Sequence, residues 1–136
     1  MRILLADAQA KVRFALRVLL ERQPEFEVVG EAASVEDLLA RTGPSCPDVV
    51  LLDWSVAGPM AARLIPALRH NCPGVGIIVL SGRPEARRAA LAAGADAFVS
   101  KGNPPEHLMA AIHHCCQNTH TTNTGPLLPG ESALAT

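Results

Sequence analysis

The sequence alternates short apolar runs with longer segments of helical periodicity, and this alternation limits the possible folds more than any other feature. Each run has the length and composition of a strand, and each is followed by a segment in which apolar residues recur every three or four positions. Such a repeat predicts one parallel sheet with helices on both faces, and right-handed crossovers restrict its topology to a few cases. The predicted strands are residues 3–6, 27–32, 49–52, 75–80 and 97–100.

The predicted helices begin near positions 8, 34, 59, 84 and 104 or 105. Pro66 lies inside the third helix and removes one backbone donor, so we expect a kink or a shortened helix there. The fourth helix, which is predicted to end at Gly94, contains mostly alanine. Because an alanine methyl buries little apolar area, this helix is predicted to be the most weakly held of the five.

Length and composition are those of one globular domain. The chain has 136 residues, of which 49% are hydrophobic and 18% are charged, and its formal net charge is -1. These values argue against a disordered chain and against a polybasic nucleic-acid surface. No apolar run reaches the roughly 20 residues that span a bilayer, and Asp7 comes too early for a signal peptide. We therefore expect a cytoplasmic protein without membrane association.

The four cysteines are predicted to be free thiols, because a reducing cytosol disfavours disulfides. Cys46 and Cys72 each precede a predicted strand, so a disulfide on one rim of the sheet is the alternative. After Gln117 the composition becomes rich in Thr, Asn, Gly and Pro and loses its periodicity. This change predicts a domain over residues 1–117 and a linker or loose tail over residues 118–136.

Four polar residues stand at the predicted carboxyl ends of four apolar strands. Asp7 follows RILLA, Asp53 follows VVLL, Ser81 follows IIVL, and Lys101 follows AFVS. Ligands of open α/β sheets bind outside the carboxyl ends of the strands, so these side chains are predicted to share one cleft. The set suits phosphoryl transfer: a carboxylate can be the nucleophile, Mg²⁺ binds through one or two carboxylates, and an ammonium group pairs with phosphate.

At these positions the chain resembles the receiver domains of two-component response regulators. The resemblance spans about residues 1–117 and rests on the segments LLADA, PDVVLLDWSVAG, IIVLSG and AAGADAFVSKG in that order. It implies a flavodoxin-like (βα)5 three-layer α/β sandwich with a parallel sheet of order 2-1-3-4-5. Two longer segments, DAQAKVRFALRVLLERQPEFEVVGEAAS and AAGADAFVSKGNPPEHLMAAI, are most similar to the LuxR/NarL-type subfamily.

The resemblance implies a role for each residue of the cleft. Asp53 is the implied phosphoacceptor, and Ser81 and Lys101 are implied to contact the phosphoryl group. Ser81 and Phe98 match the positions of the family's conformational switch. The implied partners are a sensor histidine kinase and a second copy of the chain. No enzyme activity is implied beyond self-phosphoryl transfer and slow autodephosphorylation.

The implied Mg²⁺ site departs from the family pattern at one position. Its ligands are implied to be Asp7, Asp53 and the backbone carbonyl of Ser55. Ala8 stands where the family has the acid that touches the metal directly, whereas Asp7 matches the acid that usually acts through water. Since Mg²⁺ keeps waters readily, we expect its affinity to fall by roughly one to two decades without being lost.

The segment GPLLPGESALAT is similar to the subfamily's linker before a DNA-binding helix-turn-helix. Such an output domain is not within these 136 residues, so DNA contact is expected only through a domain outside this chain. A pseudo-receiver that dimerises without phosphorylation is the main alternative, and the Asp7-Ala8 pair motivates it. A flavin or nucleotide binder of the same fold ranks last, because no glycine-rich phosphate loop is present.

Overall fold

Five parallel strands form one sheet in the order β2-β1-β3-β4-β5, which confirms the order that the resemblance implied. The computed structural model describes residues 1–124, with side chains described to residue 115. The strands are β1 (Arg2–Ala6), β2 (Glu27–Ala32), β3 (Val49–Asp53), β4 (Gly76–Ser81) and β5 (Ala97–Ser100). The helices are α1 (Ala10–Glu21), α2 (Val35–Thr42), α3 (Trp54–Ala57), α4 (Ala61–Asn71), α5 (Arg87–Ala92) and α6 (Pro105–Thr124), with 3₁₀ turns at Gly58–Met60 and Pro84–Ala86.

The sheet separates two apolar layers. On one face, α1 and α6 pack against the strands through residues that include Leu20 and Ile112. On the other face, α2, α4 and α5 pack through residues that include Leu38, Leu68 and Ala90. Because both faces are covered, β3 and β4 are buried along their whole length, as continuous apolar runs in a parallel sheet predict.

The two central strands continue one residue beyond the apolar runs that predicted them. β3 ends at Asp53, and β4 begins one residue later than predicted and ends at Ser81. The ladder pairs Asp53 with Leu80 and Ser81 with Ser100. Two predicted site residues therefore lie within the sheet itself, where the strand ladder fixes their backbones.

Helix α4 runs without interruption from Ala61 to Asn71, so it is not shortened at Pro66. Pro66 and Ala62 both lie on the exposed face, where water can reach the Ala62 carbonyl that loses its partner. The predicted start at Pro59 was early, because that residue lies in the 3₁₀ turn before the helix.

Helix α5 has only six residues, and its packing is sparse. Ala90 is its one buried residue, and Ala86 is the one buried residue of the preceding turn. Two buried methyl groups stabilise a helix far less than buried leucines do. Among the five helices that the sequence predicted, this one buries the least apolar side-chain bulk, as expected.

The two cysteines that precede β3 and β4 form a disulfide, so the prediction of free thiols is wrong for Cys46 and Cys72. Their strands are neighbours, which brings the two Cα atoms to 5.5 Å. The bond joins positions separated by 26 residues. In the loop-entropy model a closed loop of this size stabilises a fold by about 3–4 kcal/mol.

The last helix, α6, continues to Thr124, past Gln117, where the composition had predicted a linker. A helix that is already nucleated propagates at little cost, even where its apolar stripe has ended. The rest of the predicted tail, residues 125–136, lies outside the described residues. Among the helices of the described part, none combines the length and hydropathy needed to cross a membrane.

Candidate functional site

The four polar residues predicted to share a cleft lie at the carboxyl ends of four adjacent strands. Asp7 directly follows β1, Asp53 ends β3, Ser81 ends β4, and Lys101 directly follows β5. Asp7, Asp53 and Ser81 are the only buried polar residues on this edge among those described, with exposed fractions of 2%, 5% and 6%. The topology therefore gathers three buried polar groups and one lysine at a single edge of the sheet.

Lys101 bridges the two carboxylates of the cleft. Its Nζ lies 2.6 Å from Asp53 Oδ1 and 3.0 Å from Asp7 Oδ2. Two buried carboxylates this close would repel each other without a shared cation, since charge is poorly screened away from water. The ammonium group supplies the partner that the buried Asp53 carboxylate requires at the end of an apolar strand.

The pKa of Lys101 reflects this position. Burial lowers the pKa of the ammonium group, but hydrogen bonds and charge attraction from Asp53 and Asp7 outweigh burial and leave it above its ordinary value. Lys101 is therefore fully protonated at neutral pH, and its charge is available to the cleft.

Asp53 also caps the short helix α3 that follows it. Its Oδ2 accepts hydrogen bonds from the backbone N–H of Ser55 at 3.2 Å and from the Ser55 hydroxyl. One carboxylate oxygen thus faces the lysine and the other faces the helix start. These contacts on both oxygens fix the orientation of the Asp53 carboxylate. They also hold Ser55, whose backbone carbonyl is the third implied metal ligand, beside it.

The β1–α1 loop is held by contacts that sequence reasoning missed. Asp7 Oδ1 accepts the backbone N–H of Gln9 at 2.9 Å, and the Asp7 carbonyl accepts the Arg13 guanidinium at 2.6 Å. Arg13 in turn pairs with Glu31 on β2 at 2.9 Å. A hydrogen bond and charge attraction from Arg17, joined by Arg13, lower the pKa of Glu31. The only sequence signal for these contacts was a glutamate, Glu31, inside a predicted strand, with Arg13 and Arg17 in the helix that precedes it.

Ser81 and Phe98 occupy neighbouring strands, and the Ser81 hydroxyl forms no hydrogen bond with either carboxylate. The Ser81 hydroxyl accepts the backbone N–H of Arg83 at 3.0 Å, and the Ser81 carbonyl accepts the backbone N–H of Lys101 at 2.8 Å. Phe98 is half-buried against the layer that contains α4 and α5. The structure thus places Ser81 at the cleft and Phe98 behind it, next to the weakly held helix.

The cleft fits a divalent cation only partly. Asp7 and Asp53 present two carboxylates within reach of one ammonium group, and two carboxylates are enough for Mg²⁺ when water completes its shell. Ala8 is exposed in the β1–α1 loop and contributes no oxygen from its side chain. Over the described residues, no three His, Cys, Asp or Glu side chains converge to hold a metal ion.

The chain belongs to the response regulator receiver family. The model of the response regulator receiver domain matches residues 3–113, which include all five strands except the first residue of β1, and most of the helices. The cleft lies within this range. The family and the fold that the four sequence segments implied are therefore both confirmed.

Two curated relatives support the LuxR/NarL-type subfamily. The chain is 32% identical over 113 residues to the nitrate/nitrite response regulator NarL of Escherichia coli K12, a match that covers 82% of this chain and 52% of NarL. It is 33% identical over 112 residues to the response regulator UvrY of the same organism, covering 81% and 51%. The chain thus spans about half the length of the curated relatives that it matches.

Solved structures show the same fold. A LuxR-family two-component response regulator from Aurantimonas sp. SI85-9A1 superposes with a TM-score of 0.77 at 29% identity, covering 86% of this chain and 85% of that one. The signal receiver domain of the putative response regulator NarL from Mycobacterium tuberculosis gives 0.75 at 26% identity, covering 85% and 95%. Both likenesses agree with the subfamily that the sequence indicated.

We predict that the contribution of Lys101 to stability is lost at alkaline pH. A pKa raised on folding stabilises the fold fully below the ordinary lysine pKa of about 10.4, and the effect disappears as pH rises through the raised value. Lys101→Met should therefore lower the free energy of unfolding by roughly 1–3 kcal/mol at neutral pH, and the gap to the wild type should narrow above about pH 10.4.

Denaturant titrations at neutral and alkaline pH measure this gap. The chain has no tyrosine and only one other lysine, Lys11, so few other groups titrate in the same range. Lys11→Met, at an exposed position of α1, is the matched control and should follow the wild type throughout. A gap that stays constant with pH would show that the ammonium group does not stabilise the cleft.

Proposed function

We propose that this chain is the receiver module of a two-component response regulator and that Asp53 accepts a phosphoryl group from a sensor histidine kinase. The observation that carries the proposal is a carboxylate that is 5% exposed, ends a central strand and lies 2.6 Å from a lysine. A buried carboxylate that is oriented and paired in this way suits a nucleophile better than a structural acid.

The transfer forms one bond and breaks one. A carboxylate oxygen of Asp53 attacks phosphorus, the bond from phosphorus to the donor's leaving atom breaks, and the leaving atom keeps the electron pair and takes a proton. Catalysis of this step depends on positioning and on charge stabilisation. Lys101 supplies a charge that can move from the carboxylate to the phosphoryl oxygens, and Ser81 supplies a hydroxyl donor from the neighbouring strand. Mg²⁺, when bound, neutralises further charge on those oxygens.

The chain is proposed to bind Mg²⁺ weakly. Asp7 and Asp53 bring two negative charges to the cleft, and the positive charge of Lys101 neutralises one of them. The acid that would add a third negative charge is replaced by Ala8. Affinity is proposed to fall by roughly one to two decades, at about 1.4 kcal/mol per decade.

The proposed switch connects the cleft to α5. The Ser81 hydroxyl that now accepts the Arg83 N–H would turn toward a phosphoryl oxygen on Asp53, and this movement would release the start of the turn before α5. Phe98 packs beside the same helix and can follow it. Weakly packed elements open most easily, so α5 is the element that a small movement at Ser81 would shift first.

The proposed output is a change in self-association. Phosphorylation would favour a homodimer, and any effect on DNA would come through an output domain outside the described residues. The chain is not proposed to be an enzyme in the usual sense, because the group that it transfers ends on its own Asp53 and leaves only by slow hydrolysis. A cytoplasmic location fits a kinase that uses cytoplasmic ATP.

A pseudo-receiver is the second candidate, and one observation favours it. Ala8 stands where the family pattern has a metal-binding acid. Such a module would dimerise or bind partners through its surface without being phosphorylated. Phosphoryl uptake separates it from the first candidate.

Asp53 is predicted to take up phosphate from acetyl phosphate in the presence of Mg²⁺, because a small donor bypasses the kinase. Intact-mass measurement should show a gain of about 80 Da on the wild type and none on Asp53→Asn. Glu36→Gln, a change at an exposed carboxylate of α2, is the matched control and should react like the wild type. A wild type that stays unmodified while another receiver reacts in parallel would favour the pseudo-receiver.

Restoring the missing acid is predicted to tighten Mg²⁺ binding. Ala8→Asp adds a negative charge to the β1–α1 loop beside the cleft, so the dissociation constant should fall by about tenfold or more. Trp54, which follows Asp53 and is half-buried, reports binding by fluorescence. Ala10→Asp adds the same charge at the exposed first turn of α1 and should have a much smaller effect. Identical titrations for Ala8→Asp and the wild type would mean that position 8 does not face the metal.

Helix α5 is predicted to be the fastest of the sheet-packed helices to exchange its amide hydrogens, because only Ala86 and Ala90 are buried in this segment. Beryllofluoride with Mg²⁺, a mimic of the phosphorylated state, should slow that exchange. The amides of α1, on the opposite face of the sheet, serve as the internal control. Slow exchange in α5 that does not respond to the mimic would rule out this helix as the switch.

A further inference from the structure

We propose that Cys46 and Cys72 form a reversible thiol–disulfide pair and that Cys46 is the residue that exchanges with small thiols and disulfides in solution. The proposal does not depend on phosphoryl chemistry, because the pair lies at the amino edge of β3 and β4, opposite the cleft. It identifies a modification site on an edge of the sheet that the proposed receiver function does not use.

The two sulfur atoms differ in access. Cys46 is exposed in the loop between α2 and β3, whereas Cys72 follows α4 and is 2% exposed. Attack on a disulfide requires access to one of its sulfurs, and exposed disulfides exchange more readily than buried ones. An external thiol can therefore reach the bond only from the Cys46 side.

The fold can hold the two cysteines as a disulfide or as two thiols, because a carbonyl oxygen lies near each sulfur atom. The Thr42 carbonyl oxygen lies 3.2 Å from Cys72 Sγ, and the Asn71 carbonyl oxygen lies 3.4 Å from Cys46 Sγ. A thiol is a weak hydrogen-bond donor, so each reduced cysteine would find an acceptor without rearrangement. Reduction therefore leaves no buried donor without a partner at Cys72.

The backbones of the two cysteines are held by contacts other than the disulfide. The Arg2 guanidinium donates to the Cys46 carbonyl oxygen at 2.6 Å and to Ser45 Oγ at 2.7 Å. The backbone N–H of Cys72 donates to the Leu68 carbonyl oxygen at 2.9 Å and closes the end of α4. These contacts keep the thiols close together after reduction, so that the bond can form again.

The oxidation step balances with a low-molecular-weight disulfide such as glutathione disulfide. The Cys46 thiolate attacks one sulfur of glutathione disulfide, the bond between its sulfurs breaks, and one glutathione leaves as the thiolate. The Cys72 thiolate then attacks the Cys46 sulfur and releases the second glutathione. Two protein thiols are oxidised, one glutathione disulfide is reduced to two glutathione molecules, and the two protons from the protein thiols end on them.

The bond encloses the part of the chain that carries the candidate phosphoacceptor. The segment between Cys46 and Cys72 contains β3, Asp53, α3 and α4. Oxidation should therefore stabilise this unit from the amino edge of the sheet without changing a residue of the cleft. Its expected effect is on unfolding, by restriction of the unfolded chain.

Two single variants test the proposal with glutathione disulfide as the probe. In reduced Cys72→Ser, Cys46 should keep a glutathione adduct, because no second thiol resolves it. In reduced Cys46→Ser, the exposed position carries a hydroxyl that does not attack a disulfide, and the buried Cys72 should stay unmodified. In reduced wild type, glutathione disulfide should produce the Cys46–Cys72 disulfide without a lasting adduct. Peptide mapping distinguishes these two cysteines from Cys115 and Cys116.

Thermal unfolding gives a second measurement. Oxidised wild type should melt about 10–15 °C above reduced wild type, and neither single variant should show this shift. Native wild type should also open its disulfide in excess reduced glutathione. The proposal is overturned if Cys72→Ser gains no adduct at Cys46, or if the native wild-type disulfide resists glutathione and behaves as a permanent cross-link.

Discussion

The contact of one ammonium group with two buried carboxylates is the interaction on which the cleft depends. Lys101 reaches from the end of β5 to Asp53 on β3 and to Asp7 after β1, across the end of β4. Without it, two negative charges would face each other at the buried end of an apolar sheet. The positive charge of Lys101 stabilises the two carboxylates in the present structure. In the proposed reaction the same charge would stabilise the oxygens of an incoming phosphoryl group.

The strand–helix alternation and the polar residues at strand ends were enough to predict most of this site. Asp7, Asp53, Ser81 and Lys101 follow apolar runs, and in a parallel sheet such positions meet at one edge, which the structure confirms. The pattern did not reveal the contacts of Arg13, because hydrogen bonds from one element to a neighbour's backbone leave no periodic signal.

Other differences follow from tertiary context. Pro66 does not shorten α4, because it falls on the solvent face, where a lost backbone hydrogen bond is replaced by water. Cys46 and Cys72 are bonded although the general rule for reducing compartments predicted thiols, because strand order brings their loops together. Helix α6 extends beyond the change in composition at Gln117, since a helix that is already nucleated propagates at little cost.

The two edges of the sheet have different chemistry. The carboxyl edge carries the carboxylates and the lysine, with Ala8 as its departure from the family pattern, and its proposed role is phosphoryl acceptance. The amino edge carries the thiol pair, whose proposed role is redox exchange. A double-mutant cycle between Lys101→Met and Asp53→Asn, followed by denaturant unfolding at neutral pH, tests the central claim most directly. The account predicts a coupling free energy above about 1 kcal/mol, whereas additive effects, within about 0.5 kcal/mol, would contradict it.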